Sequence, residues 1–92
     1  MQYARENADF TFYHDPGHGW LWATLDDLKD VGLGVGHFSS YSFPITRDDG
    51  SHGLYLEEDC DLGIFLQAYK AKHGKEPTIR EHYIDDRAII GI

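Results

Sequence analysis

Two histidines and a carboxylate fall within five residues in His14-Asp15-Pro16-Gly17-His18. Neutral imidazoles and carboxylates are zinc ligands, and a catalytic zinc keeps one position open for water. The spacing is not the helical one, in which two histidines share a face one turn apart. Pro16 and Gly17 forbid a regular helix, so His14, Asp15 and His18 could meet on a metal only if the loop itself bent both rings inward. Further ligands would have to come from His37, His52, Asp59, Asp61 or His82. Asp-Pro-Gly is also turn chemistry: Pro fixes φ, Gly permits positive φ, and Asp can accept a bond from the turn backbone. The turn is the expected reading, and metal the alternative.

The second constellation is Glu57-Glu58-Asp59-Cys60-Asp61. Four carboxylates in five residues repel one another unless something answers them. The free N–H groups and positive end of a following helix would do so, with Asp59 or Asp61 as the cap. A hard divalent cation is a second possibility, although no EF-hand loop pattern is present. An acidic knob for a basic partner is a third. One spatial expectation follows: the HDPGH loop and this corner are neighbours, with His14 or His18 paired to Glu57, Glu58 or Asp59.

Cys60 is the only cysteine, so no intrachain disulfide can form. A helix N-terminus lowers a thiol pKa, but the four surrounding acids raise it. A semi-buried, unreactive cysteine is expected. Ser39, Ser40, Ser42 and Ser51 sit in no nucleophile-elbow motif. GLGVG lacks the Lys-Ser/Thr of a phosphate loop. An enzyme is the less expected reading, and no cofactor is called for.

These residues need elements to position them. DFTFYH alternates, with Phe10 and Phe12 on one side and Thr11 and Tyr13 on the other, which is strand periodicity. Trp20–Ala23 alternates again, so the two runs predict a hairpin around the Pro-Gly turn. ATLDDLKDVGLG predicts a short helix capped by Thr24 with Asp27 at its third position, ended by Gly32 or Gly34. HFSSYSF predicts a strand closed by Pro44, with GLYL returning after an Asp-Gly turn. The clearest helix runs from Asp59 to His73. Leu62, Phe65, Leu66 and Tyr69 make its core stripe, and Gly74 is its natural stop. TIREHYI predicts a further strand, and Ala88–Ile92 a possible last one.

The order ββαββαβ(β) implies an α+β fold: a mainly antiparallel β-sheet with two helices packed on it. Helices on one face leave the other in water or against a partner. Ninety-two residues make a single domain, 1–92, with residues 1–8 expected to fray. Aromatic residues form 14% of the chain and supply most of its possible core.

The charge is −8 with neutral histidines, and it is uneven. Residues 1–66 carry twelve acids and three bases, whereas residues 67–92 carry four acids and five bases. Such a surface repels nucleic-acid phosphates and suits a basic partner. No direct nucleic-acid binding is expected. MQYARENADF has no apolar h-region, and no apolar run is long enough to span a bilayer, so cytoplasm is the expected compartment.

FYHDPGHGWL, SSYSF, LYLEEDCDLGIFLQAYKAKHG and REHY together resemble a group of small uncharacterised proteins of bacterial genomes, plasmids and phages. The resemblance covers roughly residues 10–84. It implies no defined activity, but a mobile-element origin suits an inhibitor of host defence such as restriction or CRISPR complexes. The expected function is therefore a small, acidic, non-enzymatic interaction protein presenting a nucleic-acid-like surface. Asp26, Asp27, Asp30, Glu57, Glu58, Asp59 and Asp61 are its expected contact residues. The partner would carry a basic, nucleic-acid-binding surface. The alternatives are a metal-binding module or metal-dependent hydrolase using the HDPGH loop and the EDCD cluster, and a homo-oligomeric accessory subunit.

Overall fold

A computed structural model describes residues 2–3 and 8–84. Its strands are β1 (Gln2–Tyr3), β2 (Phe10–His14), β3 (Gly19–Thr24), β4 (Phe43–Thr46), β5 (His52–Glu57) and β6 (Thr78–Tyr83). The helices are α1 (Leu25–Asp30) and α2 (Leu62–His73), with a 3-10 turn at Val35–His37. The strands form one sheet in the order β1-β6-β2-β3-β5-β4. Pairing is antiparallel from β2 through β3 and β5 to β4, and parallel where β6 lies between β1 and β2. The α+β class is as expected, and so is the order ββαββαβ from β2 to β6. β1 is an addition: Gln2 and Tyr3, expected to fray, pair with Thr78 and Ile79 of β6. The possible strand at Ala88–Ile92 lies outside the described residues.

Alternation sets the two faces. Phe10, Phe12, Leu21, Ala23, Leu54, Leu56 and Ile79 point to one side and pack with Leu28 of α1 and Leu62 and Phe65 of α2. Leu21, Leu56, Phe65 and Ile79 are fully buried. The helix starts and stops follow local chemistry. The Thr24 hydroxyl accepts from the Asp27 N–H at 3.0 Å, and the Asp27 carboxylate accepts from the Thr24 N–H at 2.9 Å, a complete capping box. Gly74 ends α2 at φ +77°, its N–H donating to Lys70.

Gly53 brings β5 close to β3. A Cβ there would run into the backbone of Ala23 and lie 2.8 Å from Cα of Thr24, so only glycine fits.

The HFSSYSF segment departs from expectation. His37 belongs to the 3-10 turn, and the strand begins only at Phe43. Pro44 does not close it but sits inside it. β4 is the sheet's edge, where a residue with no N–H is tolerated and blunts further pairing.

Candidate functional site

The HDPGH loop is a turn that holds itself together. The Asp15 N–H donates to the His18 carbonyl at 2.9 Å. The Asp15 carboxylate accepts from the N–H groups of Gly17 (2.9 Å) and His18 (2.7 Å). The Gly17 bond, together with His18, holds the Asp15 carboxyl below its usual range against an opposing loss of hydration. Both histidines are engaged by neighbours. His14 Nε2 meets Glu81 Oε1 on β6 at 2.9 Å, and its ring stacks on Phe12. The His18 ring stacks on Trp20, with Nδ1 3.6 Å from the Asp15 carboxylate.

The acidic corner is beside this loop, as expected. Trp20 of β3 pairs with Glu57 of β5, and the Glu58 N–H donates to the Gly19 carbonyl at 2.9 Å. The expected His–carboxylate pair across the gap does not form. His14 chooses Glu81 because β6 lies directly alongside β2, and His18 stays within its own turn. Among the described residues, no three His, Cys, Asp or Glu side chains gather where a metal ion could be held.

Asp61 is the largest correction. It occupies the N-cap position of α2, yet its side chain caps nothing in the helix. It is 1% exposed and points back across the corner. There it accepts from the Ser39 N–H (3.0 Å), from the Ser39 hydroxyl (2.7 Å) and, by a short bond, from the Ser42 hydroxyl. The Ser42 oxygen in turn accepts from the Glu57 N–H at 2.9 Å. Burial pushes the Asp61 carboxyl up, but the bonds from Ser42 and Ser39 outweigh it and hold the group below its ordinary value. Asp61 is a buried latch between β5, α2 and the 39–42 segment, and no partner can reach it. Asp59 is exposed and caps nothing.

The remaining expected contact residues divide between structural and free roles. Asp27 is spent in its capping box. Asp30 binds His73 at 2.7 Å and Lys72 at 3.3 Å, His73 foremost in lowering its pKa. Glu57 accepts from the Cys60 N–H at 2.8 Å. Asp26, Glu58 and Asp59 are exposed, and no cation pairs with them among the described residues. They do not share one patch: Asp26 follows the Thr24 end of β3, whereas Glu58 and Asp59 follow the opposite end of the sheet. Cys60 is exposed rather than semi-buried. Partial desolvation, then the bond and charge of Glu57, then Asp61 and Asp59, push its thiol pKa up.

The helix-free face of the sheet carries what the sequence reading missed. Tyr13, Trp20, Trp22, Phe43 and Tyr55 alternate onto it, and Arg47 from the β4–β5 turn lies over the middle. The signal was available: Arg47 is the only Lys or Arg between Lys29 and Lys70. Ser39 and Ser42 were weighed only as nucleophiles, and Glu81 not at all.

Among known proteins, no family model, no curated protein and no solved structure matches this chain. Among the described residues, no helix is long and apolar enough to cross a membrane.

Proposed function

We propose that this chain is a small acidic interaction protein, without enzymatic activity of its own, that binds a basic, nucleic-acid-handling protein surface. One observation carries the reading: Asp26, Asp48, Glu58 and Asp59 are exposed with no cation against them among the described residues, on a chain of charge −8. An unpaired surface carboxylate costs little in water and is a ready contact for Arg or Lys. The free carboxylates flank both ends of the six-residue β5, about 20 Å at ~3.3 Å per residue. A groove built to hold a nucleic-acid backbone would meet charges spread over such a length. We place the partner among cytoplasmic restriction or CRISPR-type defence complexes, with the chain as inhibitor, as an expectation carried by the sequence blocks alone.

The test is affinity for an immobilised basic DNA-binding protein at low and high salt, with duplex DNA as competitor. Binding should weaken steeply with salt and be lost to DNA, because screening acts on exposed charge. Reversing Glu58 and Asp59 together to Lys should weaken it on the order of tenfold. Affinity that ignores salt overturns the reading.

A further inference from the structure

We propose that the aromatic box on the helix-free sheet face is a seat for an arginine side chain of the partner, filled in the free chain by the protein's own Arg47. The inference rests on the reading of a basic partner and names the residue type that partner presents. The guanidinium carbon of Arg47 lies 4.6 Å from the ring centroid of Trp22, 5.7 Å from that of Tyr13 and 5.9 Å from that of Tyr55. Its Nη2 donates to the Tyr13 hydroxyl at 2.8 Å. Electron-rich ring faces attract a cation, and a planar guanidinium can stack on them as an ammonium cannot. Trp22 is 9% exposed and Tyr55 3%, although neither is covered by a helix. Arg47 contributes to that burial, and its contacts with the three rings show that a guanidinium fits the seat.

Access is open on one side. A groove of about 380 Å³ runs beside the seat, lined by Ile45, Thr46, Asp48, Asp49 and Tyr55 together with Arg47. An incoming arginine would meet the two carboxylates first and the ring of Tyr55 next. Exchange needs no change of backbone. The Arg47 N–H stays bonded to Ser51 and its carbonyl to Gly50, so only side-chain torsions must turn. The same carboxylates argue against a nucleotide base as occupant, since they repel the phosphate that would accompany it. An internal occupant lowers the apparent affinity for an external one by the fraction of time the seat stands empty.

The experiment titrates N-acetyl-arginine amide into the full chain and its Arg47→Ala and Arg47→Gln variants, reading the indole N–H resonance of Trp22 with that of Trp20 as internal reference. In the variants the Trp22 signal should shift saturably, on the order of tenfold tighter than in wild type, the strength of one cation–π contact. Trp22→Leu in the Arg47→Gln background should abolish binding. Arg47→Gln keeps a long stem with a hydrogen-bonding head and carries the comparison where Arg47→Ala does not fold. Glu58→Lys with Asp59→Lys should leave this binding unchanged, so failure of the wider acidic surface would not be mistaken for failure of the seat. No saturable Trp22 shift in a folded variant, or equal affinity with and without Arg47, overturns the proposal. So does a single-stranded oligonucleotide that shifts Trp22 where the arginine amide does not.

Discussion

The HDPGH turn and the EEDCD corner are neighbours, the Glu58 N–H donating to the carbonyl of Gly19 just after the turn, and are built on opposite principles. The turn is closed by a carboxylate that reaches two and three residues along its own chain. The corner is closed by a carboxylate that reaches nineteen and twenty-two residues away. Asp15 satisfies backbone groups that water could otherwise serve. Asp61 satisfies hydroxyl and N–H groups while itself buried, where nothing else can replace it. Residues of one type, in neighbouring segments, therefore differ in what the fold loses with them.

The largest expected effect is at the corner. Asp61→Ala removes three charge-assisted bonds and leaves the Ser39 and Ser42 hydroxyls and the Ser39 N–H without their acceptor. We expect a loss of about 3 kcal/mol, which in a domain of this size lowers Tm by roughly 12–24 °C. Asp61→Asn keeps an acceptor and should lose less. Calorimetry of the two variants separates the charge from the shape. An Asp61→Ala protein that melted with wild type would break the comparison.

The same contrast has a pH signature. Asp61 has a depressed pKa in the folded chain, so its stabilisation is fully present above the unfolded value near 3.9. It is lost as pH falls through the depressed folded value. Wild type should therefore lose stability in acid more steeply than Asp61→Asn, whose position 61 has no proton to take up. Denaturant melts between neutral pH and about pH 3 measure it. Parallel slopes for the two proteins would show that Asp61 is not the group responsible.

Next come the partners of the latch. Ser42→Ala removes the hydroxyl that both donates to Asp61 and accepts from the Glu57 N–H, breaking two links at once. Ser39→Ala also breaks two links, to Asp61 and from the Tyr41 N–H, but the Tyr41 N–H is exposed to water and the Ser39 N–H still donates to the carboxylate. Ser42→Ala should cost about 2 kcal/mol and Ser39→Ala about 1. Reversal of that order would mean that the chain of bonds does not run through Ser42.

These differences track what the sequence could reveal. Asp-Pro-Gly, the Thr24–Asp27 box and Gly74 are legible because every partner lies within four residues, where spacing alone fixes geometry. DFTFYH declared both faces of its strand by alternation. Asp61 was legible only as an acid before a helix, and capping was the natural inference. Its actual partners, Ser39 and Ser42, become neighbours only when β5 pairs and α2 docks. Pro44 was read as a stop because nothing local says that its strand will lie at an edge. Arg47 illustrates the same limit. Its turn could be read from Asp49-Gly50, but the rings beneath it come from two other strands and its own hairpin.

Asp15→Ala tests the turn itself. The loop would lose its side-chain acceptor but keep Pro16 and the Asp15–His18 backbone bond, and water can reach the Gly17 and His18 N–H groups. The fall in Tm should be clearly smaller than for Asp61→Ala. A fall of equal size would show that the turn is as indispensable as the latch.

The smallest expected effect is at His18, and it decides what the loop is for. Its side chain is 66% exposed, it stacks on Trp20, and it sits 3.6 Å from Asp15. His18→Ala removes a surface ring without orphaning any buried group, so stability should change by no more than about 0.5 kcal/mol. His14 is pulled the other way, toward Glu81, so the two imidazoles do not converge. Zn²⁺ should therefore raise the Tm of wild type no more than that of His18→Ala. A zinc-dependent rise that vanished with His18 would mean that the loop closes on a metal after all. The turn and the corner would then differ not as local and long-range structure, but as site and scaffold.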